Sequence, residues 1–505
     1  MEQNKASQKW TITLFTIGVF MAGLDNGIIS TALTTINDSF EVSPSWGTWS
    51  ITIYTLGMAI SVPIVGKLSD RFGRKRLFIV EILLFGIGSL LVALSPNFIF
   101  LLMARLLQAI GGGGIFIIGS SHILSTLPKG KQGKALGMLG GMHGLSAVIG
   151  PNLGAVILSL TGSWHWMFLI NLPIAAFLII FGFLKMEETK AGTAKPLDFK
   201  GSILLTVGIL TFMYGITQFD SGSVIISIFI PQVVILLIIG IVLFVLFIFH
   251  ERQLEQKGGD PIIAFSLLNN RLFKVTLLLG LISGGFLAGI IFIPAFVQQV
   301  LQVPVEHAGY WLTPLAIASG IGAGLGGVLT DKYGASNAIS LSGVLGLFGF
   351  LLFAFWVEGF FSFVLASILA GVGLGILLGA PLNMLAGESA HNGGKGMALG
   401  TLSLVRQIGL ILFPIVYAGF MTGAFTKIEP AIQQKFGHTL VESDNYGGLI
   451  TSVDAIADPE LHIDILDTAT SVINTGFSNM FITAAVLSIL VMIFGIYLNK
   501  FKKPI

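Results

Sequence analysis

The 505-residue chain contains no cysteine, which excludes disulfides, a thiol nucleophile and any metal site built on thiolates. Charge is almost as scarce. Lys, Arg, Asp and Glu together make up 10% of the residues, against about 25% in an ordinary soluble chain, too few ions to cover a water-facing surface of this size. The net charge of +2 and the scatter of the basic residues give no nucleic-acid surface. No Gly-x-x-x-x-Gly-Lys-Ser/Thr phosphate loop occurs, which excludes ATP hydrolysis through such a loop. No acid and histidine cluster suggests a metal centre, a resident cofactor or an enzyme active site. The first apolar run is too long for a signal peptide and lacks a small-residue cleavage site, so it reads as a retained span.

What fills the chain is apolar: 54% of residues are hydrophobic and the mean hydropathy is +0.90. A membrane span needs about 20 such residues. Fourteen runs qualify, over 10–34, 46–65, 77–94, 98–124, 135–160, 166–184, 201–219, 224–249, 272–300, 308–330, 338–357, 360–386, 397–421 and 478–498. With the amino terminus in the cytoplasm, all but four of the 27 Lys and Arg residues fall on the inner side, as the positive-inside rule requires. The exceptions are Arg105 and Arg406 within spans, and Lys427 and Lys435 in the segment 422–477. The expectation is an all-α, multi-pass protein of the cell membrane with both termini cytoplasmic. Segment 422–477 then lies outside. Its eight acids (Glu429, Glu442, Asp444, Asp454, Asp458, Glu460, Asp464 and Asp467) suit either a folded hairpin or a solvated acidic loop.

Sliding the chain against itself by about 262 residues reveals a repeat. Gly27-Ile28-Ile29 matches Gly289-Ile290-Ile291, and the stretch from Gly66 to Gly73 matches that from Gly327 to Gly334. Gly133-Lys134-Ala135-Leu136-Gly137 matches Gly396-Met397-Ala398-Leu399-Gly400, and Pro151 matches Pro414. Six spans thus repeat as six in the same orientation. The organisation is a first half over 10–185, two extra spans with flanking linkers over 186–271, and a second half over 272–499. Parallel six-helix halves are the arrangement of rocking transporters, with a substrate site near the midplane between them.

The motifs carry a family resemblance. Gly66-Lys67-Leu68-Ser69-Asp70-Arg71-Phe72-Gly73-Arg74-Lys75-Arg76 resembles the signature loop of the major facilitator superfamily. Arg105 with Gln108 resembles its proton-relay motif, with Ala109 where glycine is usual. Gly150-Pro151-Asn152-Leu153-Gly154 resembles the exporter motif, with Ala155 in place of a second glycine. The stretch from Trp164 to Pro173, Trp49 with Tyr54, and Leu24-Asp25 are similar to marks of the fourteen-span drug:proton antiporters. Asn26-Gly27 and Thr34 depart from the threonine and proline common in the first span of that family. The resemblance implies a major facilitator fold in a 6 + 2 + 6 arrangement and proton-coupled export of lipophilic, cationic drugs or antiseptics. It implies a proton gradient as energy source and no cofactor. An exporter of one endogenous solute, such as a lipid, siderophore or metabolite, is the alternative within transport. The expected partners are protons, a small-molecule substrate and the bilayer, with the chain acting as a monomer.

Ionisable residues inside spans are costly and usually functional. Asp25 reads as the only acid deep in a helix, at a depth similar to that of Arg105. It either alternates between proton and substrate or forms a structural ion pair. Arg105 and Gln108, three apart, share a helix face. Asp70, Arg71 and Arg74, with Gly66 and Gly73, read as a charge latch closing the inner gate, stronger in the first copy because the second has Ala335-Ser336-Asn337 in place of Arg74-Lys75-Arg76. Gly150, Pro151 and Gly154 read as packing and kink residues, with a gating role implied by the resemblance. His143 and Arg406 occupy equivalent positions of the repeat and are candidate cavity residues. So are Trp49, Tyr54, Phe286 and Phe292, which could stack on a lipophilic cation. His122 reads as structural.

Overall fold

The computed structural model describes residues 2–189, 196–219, 229–390, 394–436 and 459–501. Among them, fourteen helices are long and apolar enough to cross a membrane. The first six are α1 (Glu2–Ser39), α2 (Trp49–Phe72), α3 (Arg74–Ala93), α4 (Phe98–Thr126, interrupted at Gly114), α5 (Lys129–Thr161) and α6 (His165–Lys185). The extra pair is α7 (Phe199–Thr217) and α8 (Pro231–Gln256). The last six are α9 (Arg271–Gln299), α10 (Gly309–Tyr333), α11 (Ala335–Phe355), α12 (Phe360–Ser389), α13 (Lys395–Phe436) and α14 (Pro459–Leu498). Helix satisfies every backbone polar group within one segment, which hydrocarbon demands. Asparagine and aspartate fix several starts: Asn97 accepts from the Phe100 amide, Asp198 from Gly201 and Asn270 from Leu272, each at 2.9 Å, the usual way to satisfy the free amides of a first turn.

The two sixfold sets form two halves, joined along a seam where α5 packs on α10 and α2 packs on α13. These are equivalent contacts in the repeat. The extra helices α7 and α8 pack on each other, and α7 sits outside the seam against α2 and α13. Leu56 and Ala59 of α2, Leu205, Ile209 and Met213 of α7, and Leu404 of α13 make that contact a continuous apolar patch.

Two expectations are corrected. The segment 422–477 is not an extended loop at its ends: α13 runs on to Phe436 and α14 begins at Pro459, with 437–458 outside the described residues. Ile428 and Ile432 on α13, and Ile465, Ala469 and Ile473 on α14, recur every four residues and are buried where the two helices pack, so a 3.6-residue stripe continues past the membrane run. Lys435 Nζ donates to Thr468 Oγ1 at 3.1 Å across this hairpin. Of the eight acids, Glu442, Asp444, Asp454 and Asp458 lie outside the described residues. The second correction is that Asp25 is not the only acid deep in a helix. Because α3 begins at Arg74 rather than at residue 77, Glu81 lies two turns inside it and is buried, its Oε2 accepting from the Gly114 amide at 3.1 Å.

Candidate functional site

Four helices of the first half bring their polar side chains to one point. Asp25 of α1 is fully buried, and both of its oxygens are occupied. Oδ2 accepts from Arg105 Nη1 of α4 at 2.5 Å, and Oδ1 accepts from Gln108 Nε2 at 2.7 Å and Asn171 Nδ2 of α6 at 3.2 Å. Gln108 Oε1 accepts from Arg105 Nη1 at 2.7 Å, so the two residues one turn apart on α4 grip the carboxylate together. Ser89 Oγ of α3 accepts from Gln108 at 2.8 Å and Asn171 at 3.3 Å. The Arg105 guanidinium stacks 4.2 Å above the Tyr54 ring, with the Phe168 ring 5.7 Å away. A buried charge is tolerable only with such paired and hydrogen-bonded surroundings. Among the described residues, the second half contributes nothing to this network.

Chemically, the cluster can hold one carboxylate as an anion while it is gripped, and release it on protonation, when an acceptor oxygen becomes a donor that Arg105 no longer needs. Sequence reasoning placed Asp25, Arg105 and Gln108 together. It missed Ser89 and Asn171 as members of the site, although a serine inside the apolar run 77–94 was an available signal.

At the end of the bundle that carries the signature loop, the halves are locked twice. Asp70 Oδ2 accepts from the amides of Gly396 and Met397, at 2.8 and 3.3 Å, at the start of α13 in the other half. Asp331 of α10 does the same at the start of α5: its Oδ1 accepts from Gly133 at 2.7 Å and its Oδ2 from Lys134 at 2.8 Å. A carboxylate at a helix amino terminus meets free amides and the positive end of the dipole. The helices approach so closely that a Cβ on Gly66 would run into the Gly396 carbonyl, and one on Gly327 into the Gly133 carbonyl. Gly73 and Gly334, which end α2 and α10, have φ of 101° and 87°, where an L side chain is strained. The first latch has extra parts: Arg74 Nη2 donates to Asp70 Oδ1 at 3.0 Å and Arg74 Nε to Ser121 Oγ at 3.0 Å. The Arg71 guanidinium lies 5.0 Å from the Phe72 ring, with Nε and Nη1 buried and unpartnered.

The other candidates are dispersed. Gly150 and Gly154 bring α5 against α1 at Gly27, Ile28 and Thr31, with Pro151 beside Gly27. Trp49 faces outward, its ring 5.8 Å from that of Tyr214 on α7, because the extra pair covers that side of α2. Tyr54 belongs to the Arg105 cluster. Phe286 lies in the core of the second half, 5.5 Å from the Phe350 ring, and Phe292 is 6.1 Å edge-on to Tyr417. His143 lies beside Phe116 with ring centroids 6.4 Å apart. Arg406 Nε donates to Ser283 Oγ of α9 at 3.1 Å. His122 Nδ1 lies 3.3 Å from Thr189 Oγ1. A cavity of about 260 Å³ beside Lys67, Asp198 and Asp260 lies apart from all of these, next to the extra pair.

The family model described as Major Facilitator Superfamily matches residues 15–414. The chain belongs to the Major Facilitator Superfamily. It is 55% identical over 497 residues to an uncharacterized MFS-type transporter of Bacillus subtilis (strain 168), YfiU, covering 96% of each chain. It is 32% identical over 435 residues to Multidrug resistance protein 3 of the same organism, covering 84% of this chain and 81% of that one. Among solved structures it is similar to the human organic anion transporter MFSD10 (TETRAN), with a TM-score of 0.60 at 14% identity over 95% of this chain and 99% of that one, a likeness that speaks to fold alone. This superfamily member is therefore a multi-pass membrane transporter, with the expected all-helical fold.

Proposed function

We propose that the chain is a proton-coupled antiporter that exports lipophilic small molecules by alternating access between its halves. The carrying observation is the Asp25 network: a carboxylate removed from water, held by Arg105, Gln108 and Asn171 and confined to one half. Protonation of Asp25 loosens that grip, and α1 and α4 transmit the change to the helices they pack on. The positive-inside distribution supports a cytoplasmic latched end, and on that reading the state described is closed to the inside. Asp70 and Asp331 must release their helix amino termini before the inner side opens. The relationship to Multidrug resistance protein 3 supports lipophilic molecules as the substrate class, and a single chain supplies both sides of the seam.

A cationic substrate, expected from the sequence, would need a carboxylate within reach. Asp25 is already saturated by protein donors here, so any competition between proton and substrate runs through conformation rather than through a shared contact. The test is transport in proteoliposomes under an imposed pH gradient, with a panel of dyes, biocides, antibiotics and lipids. Native protein should drive at least one member uphill, and Asp25→Asn should lose uphill transport while keeping downhill exchange. Undiminished uphill transport by Asp25→Asn overturns the coupling role.

A further inference from the structure

The second half holds a half-buried arginine that the Asp25 network does not use. Arg406 sits midway along the membrane run of α13, and its only described hydrogen bond is Nε to Ser283 Oγ at 3.1 Å. Its Nη2 is buried with no partner, and among the described residues no carboxylate pairs with it. A guanidinium keeps its proton in any protein environment, so this is a permanent charge withdrawn from water without a counter-ion, a costly arrangement that usually marks a functional position. The side chain stays partly accessible, unlike Arg105, which is fully enclosed with Asp25. Its repeat equivalent in the other half, His143, lies against Gly23 of α1 and beside Phe116, and brings no negative charge. Asp25 and Glu81, the acids buried well inside first-half spans, are both enclosed there.

We infer that Arg406, positioned by Ser283, is an anion-receiving subsite at the seam, and that the molecules this transporter carries join a lipophilic body to an acidic group. The free edge of a guanidinium matches a carboxylate or sulfonate in a planar, two-bonded fork, and the lipophilic body is what the exporter reading supplies. A cation placed there meets Arg406 unscreened. The inference rests on the exporter reading and names its substrate class.

The test is equilibrium binding to the purified full chain without any gradient. Tritiated 2-naphthoate is displaced by three ligands with the same ring system: unlabelled 2-naphthoate, 2-naphthamide and 2-naphthylmethylammonium. Native protein should prefer the acid to the amide by about tenfold or more, the usual gain from charge-assisted hydrogen bonds, and the ammonium should not compete. Arg406→Gln should abolish the preference, Arg406→Lys should retain part of it by keeping charge without the fork, and Ser283→Ala should weaken it by a few-fold. Size-exclusion profiles, with the lysine variant, separate loss of the subsite from loss of fold. No naphthoate binding by native protein, displacement by the ammonium as good as by the acid, or unchanged acid binding in Arg406→Gln overturns the inference. Replacing chloride by gluconate should strengthen naphthoate binding; if chloride alone stabilises the protein and naphthoate does not displace it, the site holds an adventitious ion only and the inference falls. Failure of gradient-driven transport with acid selectivity intact would remove the antiport reading and leave the subsite standing.

Discussion

The two halves share a scaffold and divide the chemistry. The tight approach of Gly88 to Gln108 in the first half is repeated by Gly349 against Ala370 in the second, and the Asp70 latch is repeated by Asp331. Yet by the repeat offset of about 262 residues, Leu287, Ser367 and Ala370 stand where Asp25, Arg105 and Gln108 stand in the first half. The second half has lost the carboxylate, its arginine and its amide together, as expected of residues that act only as a set. It carries instead Arg406 where the first half has His143. Symmetry is kept at the seam, where the two halves lock onto each other, and dropped at the buried carboxylate.

The sharpest break of this comparison is to remove each arginine. Arg105→Leu leaves Asp25 buried without its cation, a change worth about 3 to 5 kcal/mol, and thermal unfolding in detergent should show it as a large loss, with uphill transport gone. Arg406→Leu removes a charge that has no charged partner among the described residues, so stability should hold or rise by about 1 kcal/mol or more. Equal losses would mean that both arginines are structural anchors and that the halves do not differ in this way.

Charge movement sharpens the division further. Exchange of one proton for one monovalent cation moves no net charge. Export of a monoanion against one entering proton moves two positive charges inward, so a potential negative inside should drive it with roughly 4.6 kcal/mol per 100 mV, twice the value for one charge. Solid-supported-membrane currents with 2-naphthoate should therefore be positive inward and respond to a potassium-set potential. A potential-independent cycle would return the substrate to the cationic class.

The latches test the symmetric part. Asp70→Ala strands Arg74, which is 2% exposed, whereas Asp331→Ala removes only hydrogen bonds to backbone amides, each worth about 1.5 to 3 kcal/mol for a charged acceptor. Because the chain has no cysteine, a single cysteine placed on the seam-facing surface of α5 reports opening without background. Labelling should rise more in Asp70→Ala than in Asp331→Ala; the reverse order would show that Arg74 adds nothing to closure.

Much of this was legible beforehand because hydrocarbon leaves few options. Apolar runs marked the fourteen spans, matching triplets marked the halves, and the rarity of intramembrane charge singled out Asp25, Arg105 and Arg406. Neighbour identity was less legible. Trp49 turned toward Tyr214 because a helix apolar on all sides carries no pattern that says which face meets protein and which meets lipid. Glu81 was passed over because only the observed start of α3 shows how deep it lies. The helix beyond residue 421 and the stretch of helix before residue 478 were hidden by acids that suit a loop as well as the wet face of a hairpin, although the four-residue recurrence of Ile428 and Ile432 was there to be read.

The smallest expected effect falls on the part of the chain that neither half repeats. Asp198, just before α7, caps it through the Gly201 amide at 2.9 Å and accepts from His250 Nε2 at 2.8 Å, with the Glu251 carboxyl facing it. Burial pushes its carboxyl up, but the Gly201 amide, His250 and Glu251 outweigh that and hold it below the usual carboxylate range. A depressed folded value means that this contact stabilises the protein above the ordinary carboxylate pKa of about 3.9 and is lost only as the pH falls through the lower folded value. Asp198→Ala should cost about 1 kcal/mol at neutral pH, the usual worth of such a cap, and the gap to native protein should close in thermal scans taken at progressively acid pH. Transport should be nearly unchanged, because α7 and α8 stand outside the seam; a coupling defect as large as that of Asp25→Asn would draw the extra pair into the mechanism and end the two-part division.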